Sequence, residues 1–113
     1  MKNILIVEDE PDLIEILQMI IEEGGFNCLI ADCGAKAWSI FQNEKIDAIL
    51  SDKNMPNMNG IELLKKVRSL SNIPFYLFIS DDSFEKHLIE IGASGILSKP
   101  YDSKQIIACL DFS

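Results

Sequence analysis

The run Ile4-Leu5-Ile6-Val7 contains no polar residue, and three of its four members are β-branched. Such a run suits a strand covered on both faces, because a half-exposed strand would alternate apolar and polar positions. Four more short strand-like runs follow: Phe26–Ala31, Ala48–Leu50, Phe75–Ile79 and Gly95–Ser98. The intervening stretches repeat their apolar residues at helical spacing. Five strands alternating with five helices predict an α/β fold, a parallel sheet with helices on both faces and right-handed crossovers.

The helices carry their own punctuation. Pro11 suits a first helical turn, and Leu13, Ile14, Ile16, Leu17, Ile20 and Ile21 form a stripe that Gly24-Gly25 ends. That stripe spans an arc of roughly 160°, wider than one sheet contact needs. The surplus predicts either deeper burial or a partner helix on its edge. After Gly34, Ala37, Trp38 and Phe41 are expected inward. Asn59 is the expected N-cap of a helix with Leu63, Leu64, Val67 and Leu70 on one stripe. Phe84, Leu88 and Ile91 mark a short helix, and Asp102 or Ser103 caps a last one with Ile106, Ile107 and Leu110 inward.

With 113 residues the chain holds one domain, residues 1–113, and has no room for two. A formal charge of −8 without a Lys/Arg stripe argues against direct binding to nucleic acid or an anionic membrane. Cys28, Cys33 and Cys109 form no Cys-x-x-Cys pair and suit small buried hydrophobes in a reducing compartment. The apolar run before Glu8 is too short for a signal peptide, and no later run approaches a membrane span, so a soluble cytoplasmic domain is expected. His87, among Glu85, Lys86 and Glu90, reads as a solvated surface residue.

Polar residues stand at the carboxyl ends of four strands. Glu8 and Asp9 follow the first, Asp52 the third, Ser80 the fourth and Lys99 the fifth. In open parallel sheets, ligands bind at that edge where strand order reverses. Asp52 alone could be a loop-capping residue, since Asn54, Pro56, Asn57 and Asn59 give the segment turn chemistry. Gathered with Glu8 and Asp9 it is harder to explain so. Two carboxylates ~5 Å apart at an effective dielectric of ~20 repel by about 3 kcal/mol. One lysine cannot offset three acids; a hard divalent cation can, and an open all-oxygen site suits Mg²⁺. A metal beside an ammonium and a hydroxyl suits a phosphoryl group, with Asp52 as the nucleophile that forms an acyl phosphate.

The segments Ile-Leu-Ile-Val-Glu8-Asp9-Glu, Ser-Asp52-Lys-Asn-Met-Pro-Asn-Met-Asn-Gly60, Phe-Ile-Ser80 and Gly92-Ala-Ser-Gly-Ile-Leu-Ser-Lys99-Pro100 resemble the receiver domain of two-component response regulators, in order and spacing over essentially the whole chain. The centre and last strand are especially similar to chemotaxis response regulators. The resemblance implies a flavodoxin-like (βα)5 fold with strand order 2-1-3-4-5. It implies Asp52 as phosphoacceptor from a phosphohistidine on a sensor histidine kinase or histidine phosphotransfer protein. Asp9 would bind Mg²⁺ directly, Glu8 largely through water, and Asn54 through its backbone carbonyl. Lys99 would pair with the phosphoryl oxygens, Ser80 would swing toward them, and Pro100 would hold the Lys99 loop. The responding face would comprise Phe84–Ile91, Gly95–Ser98 and the last helix, and its reader a downstream effector or a tethered output domain. Such a protein is an enzyme only in catalysing its own phosphorylation and dephosphorylation.

Departures from the family pattern bear on mechanism. Ile96 stands where a switch aromatic is common, and Tyr101 lies at a different place. Asp81, followed by Asp82, occupies a position usually held by a small residue. These features leave room for a rival reading, a receiver-shaped interaction module that signals without phosphorylation. Flavodoxin-like or dinucleotide-binding activity is disfavoured, because Glu8-Asp9-Glu10 would repel phosphate after the first strand. A dehalogenase-type phosphatase would want an acid where Asn54 stands. A carboxylate at position 81 should repel small anionic donors, so Asp81→Ala is expected to speed phosphorylation by acetyl phosphate; an unchanged or slower rate would refute this hypothesis.

Overall fold

Ile4, Leu5, Ile6 and Val7 are completely buried, as the unbroken apolar run requires. They belong to the first of five strands in a computed structural model that describes residues 1–54, 57–79, 85–99 and 102–110. The elements are β1 (Asn3–Val7), α1 (Pro11–Glu23), β2 (Asn27–Ala31), α2 (Gly34–Asn43), β3 (Ala48–Asp52), α3 (Gly60–Arg68), β4 (Phe75–Ile79), α4 (Glu85–Glu90), β5 (Gly95–Ser98) and α5 (Ser103–Cys109). All neighbouring strands are parallel, and their order is β2-β1-β3-β4-β5. The order reverses between β1 and β3, where Ile6 pairs with Leu50 and Val7 with Ser51.

Because side chains alternate across a strand, each sheet face has its own core. Leu5, Val7, Ile49, Leu77 and Ile79 meet Ala37 of α2, Leu63, Leu64 and Val67 of α3, and Leu88 of α4. Ile4, Ile6, Ala48, Leu50 and Phe78 meet Leu17 and Ile21 of α1 and Ile106 of α5. Asn59 caps α3 through a reciprocal pair with Glu62, and Asp102 caps α5 through the same arrangement with Gln105. No helix among the described residues is long and apolar enough to cross a membrane.

Several positions differ from the periodicity. Only Leu17 and Ile21, four apart, are fully buried on α1; Ile16 lies a third of a turn round and is 51% exposed. The wide stripe is therefore not used up by burial within the chain. Leu70 is 68% exposed, because α3 ends at Arg68 and a tightened turn, Leu70 N–H to Val67 O at 3.0 Å, rotates it off the stripe. On α5, Ile106 and Leu110 are buried whereas Ile107 is exposed, for the same angular reason as Ile16. Trp38 is half-buried at the α2–α3 seam, stacked on Phe41 with Lys66 Nζ 5.3 Å from its ring centroid. Of the cysteines only Cys33 is fully buried, while Cys28 and Cys109 are half-buried. His87 is exposed as expected.

Arg68 closes the end of the sheet remote from the polar strand tips. Its guanidinium donates to the carbonyls of Gly92 (2.8 Å), Ser71 (3.2 Å) and Ile73 (2.7 Å) and to Ser94 Oγ (3.3 Å). One side chain thereby ties α3 to the starts of both β4 and β5. A lysine has no planar fork to span these acceptors. Arg68→Met is expected to cost about 2–3 kcal/mol in urea unfolding, with Arg68→Lys recovering little of it; a loss under about 0.5 kcal/mol, the range of ordinary surface changes, would refute the bracing role.

Candidate functional site

The buried run of β1 continues one residue beyond the strand. Glu8 is only 1% exposed, and its N–H donates to the Ala31 carbonyl of β2 at 3.0 Å, so the pairing with β2 runs one residue past the strand and fixes the backbone from which this carboxylate meets Asp52. One carboxylate oxygen accepts a long bond from Glu10 N–H (3.3 Å); the other, Oε2, is buried with no hydrogen-bond partner. Burial, reinforced by the nearby Asp52 charge and opposed by Lys99, pushes the Glu8 pKa up from 4.5 to about 7. Asp9, next along the chain, is exposed at the rim.

Asp52 ends β3. Its Oδ2 accepts from Lys99 Nζ at 3.1 Å, and its Oδ1 accepts a longer bond from Asn54 N–H at 3.3 Å. Lys99 reaches across from the end of β5 because its own N–H is anchored on Ile79 O at 2.8 Å. The ion pair is largely withdrawn from solvent, so removing Lys99 would leave the Asp52 charge uncompensated. Behind β3, a side chain at Gly60 would run into the Asp52 carbonyl oxygen, and Gly60 N–H donates to Lys53 O at 2.9 Å. The sequence marks Gly60 only as the opening of a helix; the close approach is visible only once α3 packs. An N-cap Asn followed at once by Gly was the available signal.

Glu8, Asp9 and Asp52 each offer one carboxylate oxygen, and these three oxygens lie within 4.8 Å of one another. An all-oxygen donor set containing a buried, unpartnered carboxylate oxygen fits a hard divalent cation such as Mg²⁺. Asn54 is exposed beside the cluster. Ile96 is half-buried against the core under α4 and carries no hydroxyl to couple to the cluster. Ser80, Asp81, Asp82 and Pro100 lie outside the described residues, as do Phe84 and Tyr101. The structure thus brings together residues from β1, β3 and β5 that stand up to 91 positions apart, 99 minus 8.

Residues 4–111 match the family model of the response regulator receiver domain. The chain is 34% identical over 110 residues to a transcriptional regulatory protein CpxR homolog of Haemophilus influenzae, covering 96% of this chain and 48% of that protein. It is 31% identical to the sensory transduction protein RegX3 of Mycolicibacterium smegmatis over the same shares. The chain therefore spans about half the length of these relatives. Among solved structures, chemotaxis protein CheY4 of Vibrio cholerae superimposes with a TM-score of 0.89 at 30% identity, covering 97% of this chain and 96% of that one. The receiver domain of the Francisella response regulator 1452 gives 0.90 at 25% identity, over 96% and 92%.

A carboxyl whose pKa is raised on folding binds its proton more tightly in the native state. Without divalent metal, the stability contribution of Glu8 is therefore greatest below pH 4.5 and is lost as pH rises through about 7. Glu8→Gln is expected to unfold at higher urea than the parent at pH 8 and at nearly the same urea at pH 5. Identical pH profiles for the two proteins would show that Glu8 does not carry this penalty.

Proposed function

The chain belongs to the response regulator receiver family, and on that premise we propose that Asp52 accepts a phosphoryl group from a phosphohistidine on a sensor histidine kinase or histidine phosphotransfer protein. The observation that carries this reading is the Asp52 carboxylate, paired with Lys99 at 3.1 Å and crowded by Glu8 and Asp9. A nucleophile so placed has a cation beside it and acids that call for another.

One Asp52 oxygen attacks phosphorus in line with the imidazole nitrogen. The new P–O bond forms as the P–N bond breaks, giving an acyl phosphate; with its other ring nitrogen protonated, the imidazole leaves neutral. Lys99 offsets charge on the phosphoryl oxygens, and Ser80 is assigned a hydroxyl contact to them. Glu8, Asp9, Asp52 and the Asn54 carbonyl would hold Mg²⁺, whose chemistry is to neutralise the carboxylates and polarise the transferring group. Residues 1–113 work as one receiver unit in the cytoplasm. Phosphorylation shifts the population of the α4–β5–α5 face, read by an effector protein or a tethered output domain.

Incubation with acetyl phosphate and MgCl2 is expected to add one phosphoryl group to the wild-type chain by intact mass. Asp52→Asn should add none, EDTA should suppress the gain, and Lys99→Ala should slow it on the order of a hundredfold. Equal phosphorylation of Asp52→Asn, or none of the wild type, overturns the assignment.

A further inference from the structure

Asn57 and Met58 adopt φ values of 49° and 82°, the only non-glycine residues with positive φ among those described. Two consecutive side-chain-bearing residues in this region persist only where the surroundings enforce them. What enforces them here is α2. Its N-cap, Cys33, makes no side-chain capping bond. Instead the Ala35 N–H donates to the Asn57 carbonyl at 3.0 Å. Immediately before it, Gly34 is buried against the Met58 carbonyl so closely that a Cβ would overlap that oxygen and press on the Met58 carbonyl carbon at 2.8 Å.

The same loop is pinned at its other end to the carboxylate cluster. Asn54 N–H donates to Asp52 Oδ1, and Lys53 N–H to Phe78 O at 3.0 Å. Asn54 and Asn57 stand three positions apart in the sequence, so the position of one limits that of the other. Downstream, the Asn59–Glu62 capping pair begins α3 at once. The loop therefore has three described anchors: the acceptor strand, the first turn of α2 and the first turn of α3.

We propose that Gly34 and the Ala35 N–H are positioning residues for the metal site: the first turn of α2 seats the Asn57–Met58 backbone and so holds Asn54 beside Glu8, Asp9 and Asp52. The inference rests on the magnesium reading above. It assigns a role in metal affinity to a helix that contributes no ligand. By linkage, a cation at the cluster also tightens the Ala35–Asn57 bond.

The test is Mg²⁺ titration of the full chain followed through the amide resonances of residues 52–54, with unfolding in urea recorded for each protein. Gly34→Ala adds a methyl against the Met58 carbonyl. Ala35→Pro leaves the Gly34–Met58 contact unchanged, removes the donor and sets a ring carbon where the N–H met the Asn57 carbonyl, at a first-turn position where proline is tolerated; it serves if Gly34→Ala does not fold. Either folded variant is expected to bind Mg²⁺ about tenfold more weakly, the loss typical of residues that orient a ligand. In the wild type, Mg²⁺ should slow hydrogen exchange at the Ala35 amide. Wild-type affinity in a folded variant, or Ala35 exchange indifferent to Mg²⁺, overturns the seat while leaving the magnesium reading intact. Absence of saturable Mg²⁺ shifts in the wild type overturns both.

Discussion

Three carboxylates converge on one edge of a buried parallel sheet, and the Lys99 ammonium pairs with one of them. The rest of the structure is a means of bearing that imbalance. Like charges this close repel strongly in a medium that water reaches poorly, so they stay together only on a scaffold too stiff to let them part. A five-stranded sheet sealed on both faces is such a scaffold. Glu8 shows the cost most clearly: it is buried, half-satisfied and resistant to ionisation. A cation that removes this penalty is bound with the energy that the penalty represents, which is how a site with few ligands can attract metal.

The two ends of the sheet are treated differently. At the amino end, Arg68 gathers three carbonyls and a hydroxyl, so its N–H donors are met by neutral oxygens. At the carboxyl end, Lys99 pairs with Asp52 yet leaves Glu8 Oε2 without a partner. One end is satisfied, the other is poised. That polarity matches the chemistry proposed for Asp52, since a phosphoryl group brings oxygens that an ammonium and a metal can hold. The seat proposed for α2 belongs to the poised end, where its loop borders the three carboxylates.

Much of this was legible before any coordinates. The unbroken apolar run of β1 announced a strand with two covered faces, Asn59 announced one helix start, and Asp102 or Ser103 another, of which the fold uses Asp102. Asp52, Glu8, Asp9 and Lys99 stood out because each is a charged residue at the end of an apolar run, where solvation is poor. Periodicity overreached at Ile16, Leu70 and Ile107. A stripe specifies which residues share a side of a helix; it does not specify how much of that side a neighbour covers or where the last turn tightens.

Strand and helix identity, alternation and the location of charge at strand ends follow from local chemistry, so the chain alone determined them. Which tips meet depends on strand order and register, long-range pairings that place Lys99 against Asp52 across 47 positions. The burial of Glu8, its orphaned oxygen, the approach of Gly60 to the Asp52 carbonyl and the seating of Met58 on Gly34 were decided only by packing. Each depends on distances between elements remote in sequence, and no local preference encodes those.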